Sequence, residues 1–239
     1  MQRYFAEGIN ENYFFLSKDD EHHLINVLRT EKGQEIEIVF DSILYTVKIE
    51  SLNPLKIVKV SQLSNEKKNR KITIGFAIPK GDKIELILQK CTELGIDEFV
   101  LFSSERTIGK ISADKLDDKL NRYNKIVKEA AQQSKRISVP TVKYVGKLAN
   151  LISLDIENKL VAYENAYERK INLIKSVYAY PSTLFITGPE GGFSEEEILF
   201  LEKNGFETIS LGKNILRCET APIYIASVVS FLLEGASNI

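Results

Sequence analysis

"TLFITGPEGGFSEEE", residues 183–197, runs from a wholly apolar segment (Leu184, Phe185, Ile186) through a glycine-rich loop into helix-forming residues. The apolar run reads as a buried strand over 183–187. Ser194 followed by Glu197 has the spacing of a capping box, with Phe193 and Ile198 at the flanking staple positions, so these four residues are structural. A strand that leads into a helix is half of a βαβ unit. Where such units repeat, the sheet is mostly parallel and ligands bind beyond the carboxyl ends of its strands. Gly188, Gly191 and Gly192 occupy that position. A plain turn seldom needs three glycines, so the loop calls for positive φ or for a ligand lying close to the backbone.

The rest of the chain fits this frame from residue 72 onward. Strands are expected over 72–78 and 98–102, near Val142 and Leu160, and over 208–211. Helices are expected over 82–94, 114–135, from Ser194, and over 220–234, where Thr220 can cap and Pro222 is tolerated in the first turn. Residues 1–63 instead alternate at period two, as in Glu35-Ile36-Glu37-Ile38-Val39-Phe40, with turns at Asp41-Ser42 and Asn53-Pro54. This is the pattern of a small antiparallel barrel. Residues 64–71, SNEKKNRK, are polar without apolar period and read as a linker. The expected architecture is α/β, with a small β-barrel over 1–70 and an α/β domain over 71–239.

Composition narrows the function. With 239 residues and 44% hydrophobic content the chain can bury a core without staples. Cys91 and Cys218 form no CxxC, and the histidines, His22 and His23, are adjacent, so neither a disulfide framework nor a metal site is expected. MQRYFAEG lacks a basic-then-apolar signal and no apolar run reaches membrane-spanning length, which points to the cytoplasm and away from membranes. A net charge of −1 excludes a general polycation. Residues 106–136 nevertheless hold nine Lys/Arg against four Asp/Glu, which suits either RNA contact or a solvated helix face.

The usual nucleotide grips are absent. There is no GxGxxG, and Gly212-Lys213 is followed by Asn214 with Glu207 where a phosphate loop needs its first glycine. Glu190 would repel phosphate, so the loop suits a neutral or cationic ligand. A second loop, LGKNILRC at 211–218, carries Leu211, Ile215 and Leu216. Either it wraps an apolar ligand surface or Ile215 and Leu216 fill the core.

These two loops together resemble the paired cofactor loops of the SPOUT class of S-adenosylmethionine-dependent RNA methyltransferases. More narrowly, the chain resembles the RsmE family of 16S ribosomal RNA uridine-N3 methyltransferases. The likeness runs nearly end to end, through HHLINVLR (22–29), KGDKIELILQKCTELGI (80–96), ERT (105–107) and EAAQQSKR (129–136) to the loops. It implies a PUA-like N-terminal barrel that binds RNA, a SPOUT domain with a deep C-terminal trefoil knot, and a homodimer. Three positions depart from the family pattern. Cys218 stands in place of threonine or alanine, Lys135 in place of a small residue, and Asp41-Ser42 in place of Asp-Gly.

The resemblance implies S-adenosylmethionine as cofactor, held by Tyr163 and Glu164, by Thr187, Gly188, Pro189, Glu190, Gly191 and Gly192, and by Leu211, Gly212, Ile215, Leu216, Arg217, Thr220 and Ala221. It implies 16S ribosomal RNA in the small subunit as partner. The candidate contacts are His22, His23, Arg29, Lys80, Lys83, Lys90, Gln133 and Arg217. The histidines could equally satisfy a helix start after Asp19-Asp20. On a helix, 83 and 90 share a face, as do Glu129, Gln133 and Arg136. Uridine N3 carries a proton at neutral pH, so an acceptor must remove it while an arginine stabilises the charge spreading onto the flanking carbonyls; Arg106, then Arg136, are the candidates. Two alternatives stay open, a SPOUT enzyme of transfer RNA or another ribosomal position, and a non-catalytic RNA-binding protein.

Overall fold

Alternation at period two builds the first unit of the computed structural model, which describes residues 1–64, 69–109, 111–166 and 177–235. Strands β1 (Arg3–Phe5), β2 (Gly8–Asn10), β3 (Tyr13–Phe15), β4 (Glu35–Phe40), β5 (Ile43–Leu52) and β6 (Leu55–Ser64) lie in the order β1-β4-β5-β6-β3-β2. Between β1 and β2 the chain changes partner: the Ala6 amide donates to Val39 O at 2.9 Å and the Glu7 amide to Phe15 O at 2.8 Å. One extended segment therefore pairs with β4 through its first half and β3 through its second, which closes the sheet and leaves few free edges. The inward residues Tyr4, Phe14, Ile36, Ile38, Val47, Ile49 and Ile57 form its core. The wholly antiparallel barrel expected from alternation is corrected in one place, because β1 runs parallel to β4. At the β4–β5 hairpin Asp41 and Ser42 both take positive φ, +50° and +59°, the conformation that a two-residue type I′ turn requires.

Residues 22–29 lie beside this core. Ser17 caps the short helix α1 (Lys18–His22), its hydroxyl accepting from the Asp20 amide at 3.2 Å. The next turn, His23–Val27, is π-wound, with the Leu28 amide donating to His23 O. The histidines therefore sit where α1 passes into the π-wound turn, and the reading that places them at a helix start is corrected. Nδ1 of His23 lies 2.9 Å from the hydroxyl of fully buried Tyr4, while His22 is exposed. Arg29 follows, exposed and at φ +50°.

The same unit takes in Ala131–Val139. Here helix α3 (Leu116–Gln133) ends. The Lys135 amide donates to Gln132 O and the Arg136 amide to Ala131 O, with Lys135 at φ +60°. That is a Schellman motif with lysine in the left-handed position glycine usually fills. The helix expected over 114–135 is thus shorter, and Arg136 lies past its end and not on one face with Glu129 and Gln133. Gln132 donates to Asp20 Oδ1 at 2.9 Å, and the Arg3 guanidinium reaches the Lys135 carbonyl.

The second unit is the α/β sheet: β7 (Lys71–Ala77), β8 (Glu98–Ser103), β9 (Thr141–Lys147), β10 (Asn158–Ala162), β11 (Ser182–Thr187) and β12 (Phe206–Ile209), in the order β12-β10-β11-β7-β8-β9 and all parallel. β11 sits near the middle and is buried from Thr183 to Thr187, which explains its unbroken apolar run. Helices α2 (Lys83–Glu93), α3, α4 (Glu195–Lys203) and α5 (Thr220–Gly235) complete it. Ser194 and Glu197 make both bonds of the capping box, and Phe193 and Ile198 are buried together. Two expectations are corrected. The strand placed at 208–211 is Phe206–Ile209, and Thr220 is the first residue of α5, so it does not cap that helix. Of the proposed linker, residues 65–68 lie outside the described residues. Among the described residues, no helix is long and apolar enough to cross a membrane.

Candidate active site

A cavity of about 390 Å³ opens at the carboxyl ends of β10, β11 and β12. Three loops line it. Tyr163 and Glu164 follow β10, with the Tyr163 amide tied to Ile209 O at the end of β12. Thr187 ends β11 and Gly188 to Phe193 follow it, and Ser210 to Gly212 and Asn214 to Cys218 follow β12, with Ala221 at the start of α5. Every residue assigned to a cofactor from sequence lines this cavity except Thr220. Ala162, Phe193, Ser210, Asn214 and Cys218 also line it and were not singled out for it. Ile215 is 80% exposed, so it is not a core residue, and the loop presents apolar surface to the cavity mouth.

The glycines divide the work between them. Gly192 has φ +66°, and a Cβ there would lie 2.8 Å from Glu164 Oε1. Gly188 and Gly191 lack positive φ. Added Cβ atoms would press on the Gly192 backbone at 3.2 Å and on the Arg106 stem at 3.2 Å, respectively. The left-handed requirement thus falls on Gly192, and close approach explains the other two. Thr187, 2% exposed, has a hydroxyl without a hydrogen-bond partner among the described residues. A buried orphan of this kind at a cavity wall suits a polar ligand atom.

Glu190 is not a bare charge. Its Oε1 accepts from Lys83 Nζ at 3.0 Å and from the Lys80 amide at 3.1 Å. Lys83 also lies 3.3 Å from Glu219 Oε2 and 3.5 Å from Cys218 Sγ. One lysine from α2 therefore joins the two loops. Burial works to raise the Glu190 carboxyl, but the Lys83 ammonium and the backbone donors hold it down at about 2. Burial, then Glu219, push the Cys218 thiol up to about 12, which leaves it protonated and unreactive. Because the folded-state value of Glu190 lies below the unfolded one, its contribution is complete above about pH 5 and lost as pH falls towards 2. The difference in melting temperature between the wild type and Glu190→Gln should follow the same course, level from pH 8 to 5, shrinking below that and nearly gone only as pH approaches 2. A difference independent of pH would contradict the ion pair.

Arg106 lies against the same loop, its Nη1 donating to Gly191 O at 3.0 Å and Phe193 O at 3.4 Å. Glu197 holds its neighbour, accepting from the Glu105 amide at 2.8 Å. Among the described residues Nε and Nη2 of Arg106 have no partner. The remaining candidates are scattered. His22, His23, Arg29, Gln133 and Arg136 belong to the first unit; Lys80, Lys83, Lys90, Arg106 and Arg217 belong to the second. Lys90 pairs with Glu93 at 2.9 Å, and Arg217 is exposed at the cavity edge.

A family profile described as an RNA methyltransferase domain matches residues 65–230, and one described as an RNA methyltransferase PUA domain matches residues 16–60. The ribosomal RNA small subunit methyltransferase E of Bacillus subtilis is 35% identical over 250 residues, covering 98% of this chain and 98% of its own. That of Mesomycoplasma hyopneumoniae is 34% identical over 228 residues, covering 94% and 97%. Among solved structures, a ribosomal RNA small subunit methyltransferase E from Neisseria gonorrhoeae bound to S-adenosyl methionine aligns with a TM-score of 0.85 at 29% identity, over 97% of this chain and 98% of that one.

Proposed function

This chain belongs to the ribosomal RNA small subunit methyltransferase E family, and from that premise we propose that it transfers a methyl group from S-adenosylmethionine to N3 of a uridine in 16S ribosomal RNA. The observation that carries the proposal is the cavity at the carboxyl ends of β10, β11 and β12, lined by both loops. Its residues fit the cofactor. Leu211, Ile215 and Leu216 offer an apolar surface for a flat ring, Gly192 lets the loop turn through a left-handed residue at the cavity wall, and the Thr187 hydroxyl awaits a polar partner.

Bound S-adenosylmethionine supplies the electrophilic methyl group. The protein's part is to position the uridine, accept or pass on the N3 proton, and stabilise the negative charge that the base acquires. Arg106 suits the last task, since Nη1 is fixed on the loop carbonyls and its other donors remain available. Arg136 is the second candidate. In this reading residues 1–70 dock RNA and residues 71–239 carry the transfer. His22, Arg29, Lys80, Lys90, Gln133 and Arg217 are candidate RNA contacts, as are His23 and Lys83 for whatever their internal partners leave free.

The same reading includes a cytoplasmic homodimer and the knot. The exposed Tyr224 and Phe231 on one side of α5 support the first. The second is supported by the course of the chain, which lays β12 outside β10 and then returns α5 onto β7 and β11.

With a net charge of −1, binding to free RNA should be weak and steeply salt-dependent. The efficient substrate should then be the assembled small subunit, which presents the uridine in a fixed shape. Methylation rates on assembled subunits should exceed those on naked 16S RNA by at least about tenfold. Equal rates would contradict this substrate assignment.

A further inference from the structure

The way the charges of the cavity pair singles out one side chain. Four charged residues line it: Lys83, Glu164, Glu190 and Arg217. Glu190 is taken up by Lys83 and the Lys80 amide, and Glu219, just outside, by Lys83 and by the Cys218 thiol at 3.1 Å. Lys83 is thereby already shared between two carboxylates. Glu164 has neither hydrogen bond nor ion pair among the described residues. Its Oε1 stands where a Cβ on Gly192 would meet it at 2.8 Å, so the carboxylate lies against the glycine loop at the cavity wall.

Resting on the cofactor reading above, we infer that Glu164 is the counter-charge for the sulfonium of the methyl donor, and that it makes this site favour the charged donor over the neutral thioether product. The amino-acid tail of the donor carries an ammonium together with its own carboxylate. The sulfonium is the charge left without a partner, and it is also the charge that the reaction removes. When the methyl group leaves, sulfur keeps the bonding electron pair, S-adenosylhomocysteine is neutral at that atom, and the attraction to Glu164 ends. An open carboxylate at this position therefore holds the donor and helps release the product, whereas a carboxylate neutralised like Glu190 does neither. Glu164 is exposed, so the attraction is a partly screened one.

The test is calorimetric binding of S-adenosylmethionine and S-adenosylhomocysteine to the wild type, Glu164→Gln and Glu190→Gln. Glutamine has the shape of glutamate and the position is exposed, so the variant should fold. Glu164→Gln should weaken donor binding about five- to tenfold and leave product binding within about twofold, a change expected for one partly solvated charge pair. Glu190→Gln should leave the donor-to-product ratio as in the wild type. Equal weakening of both ligands by Glu164→Gln would overturn the inference, since it would place the carboxylate on a part they share. An unchanged donor affinity would overturn it too. Binding of neither ligand to the wild type would overturn the cofactor reading itself, and this assignment with it.

Discussion

Replacing Gly192 by valine should lower affinity for S-adenosylmethionine by about two orders of magnitude while the protein stays folded, because two costs act on the same residue. At φ +66° the backbone lies in the left-handed region, where a β-branched side chain is a steric outlier. Its Cβ would also meet Glu164 Oε1 at 2.8 Å, which drives the loop and the β10 end apart. Gly191 is a milder site. It lacks positive φ, and the stem of Arg106 at 3.2 Å is a flexible neighbour that can shift. Calorimetry on the variant, with a melting curve to establish its fold, reads the outcome. Unchanged affinity would remove the 188–193 loop from the binding site.

Arg106→Ala should lower kcat, at saturating cofactor and RNA, by about two to three orders of magnitude, the usual cost of losing a donor aimed at developing charge. The rate should partly recover as pH rises towards the ionisation of uridine N3, since a base already deprotonated needs less help. The contacts to Gly191 O and Phe193 O add a second effect, a raised KM for S-adenosylmethionine from a loosened loop. The two separate at saturation, where only the loss of transition-state stabilisation remains. A variant with normal kcat and raised KM for RNA would make Arg106 a phosphate contact, and one with only a raised cofactor KM would make it a loop support.

Much of the site was legible in the sequence because its signals are local. The capping box needs only residues 194–197, and the strand, glycine loop and helix succeed one another within 15 residues. Both cavity loops follow strands, so the parallel-sheet rule placed them on one edge. What could not be read depends on distant partners. Lys83 looked like one more exposed lysine on α2, yet the carboxylate that engages it lies 107 positions away, and no periodicity reports such a pair. Its assignment to RNA therefore missed its place in the cavity.

Other differences have equally physical causes. The end of α3 was misplaced because lysine at 135 gives no sign of a left-handed residue, where glycine would have marked the stop. The parallel pairing of β1 with β4 escaped notice because three residues are too few to show a pattern. The last strand ends at Ile209 because Ser210 turns the chain, its hydroxyl accepting from the Gly212 amide at 3.3 Å.

The central claim is that this chain methylates one uridine of small-subunit RNA at N3, and its most direct test joins protein, cofactor and substrate. Small ribosomal subunits from cells lacking the gene would be incubated with the purified protein and labelled S-adenosylmethionine, and the modified nucleotide mapped by mass spectrometry. The account predicts label in 16S RNA at a single uridine, as N3-methyluridine, dependent on Gly192 and Arg106. Label at another atom, in transfer RNA, or nowhere despite tight cofactor binding would contradict it.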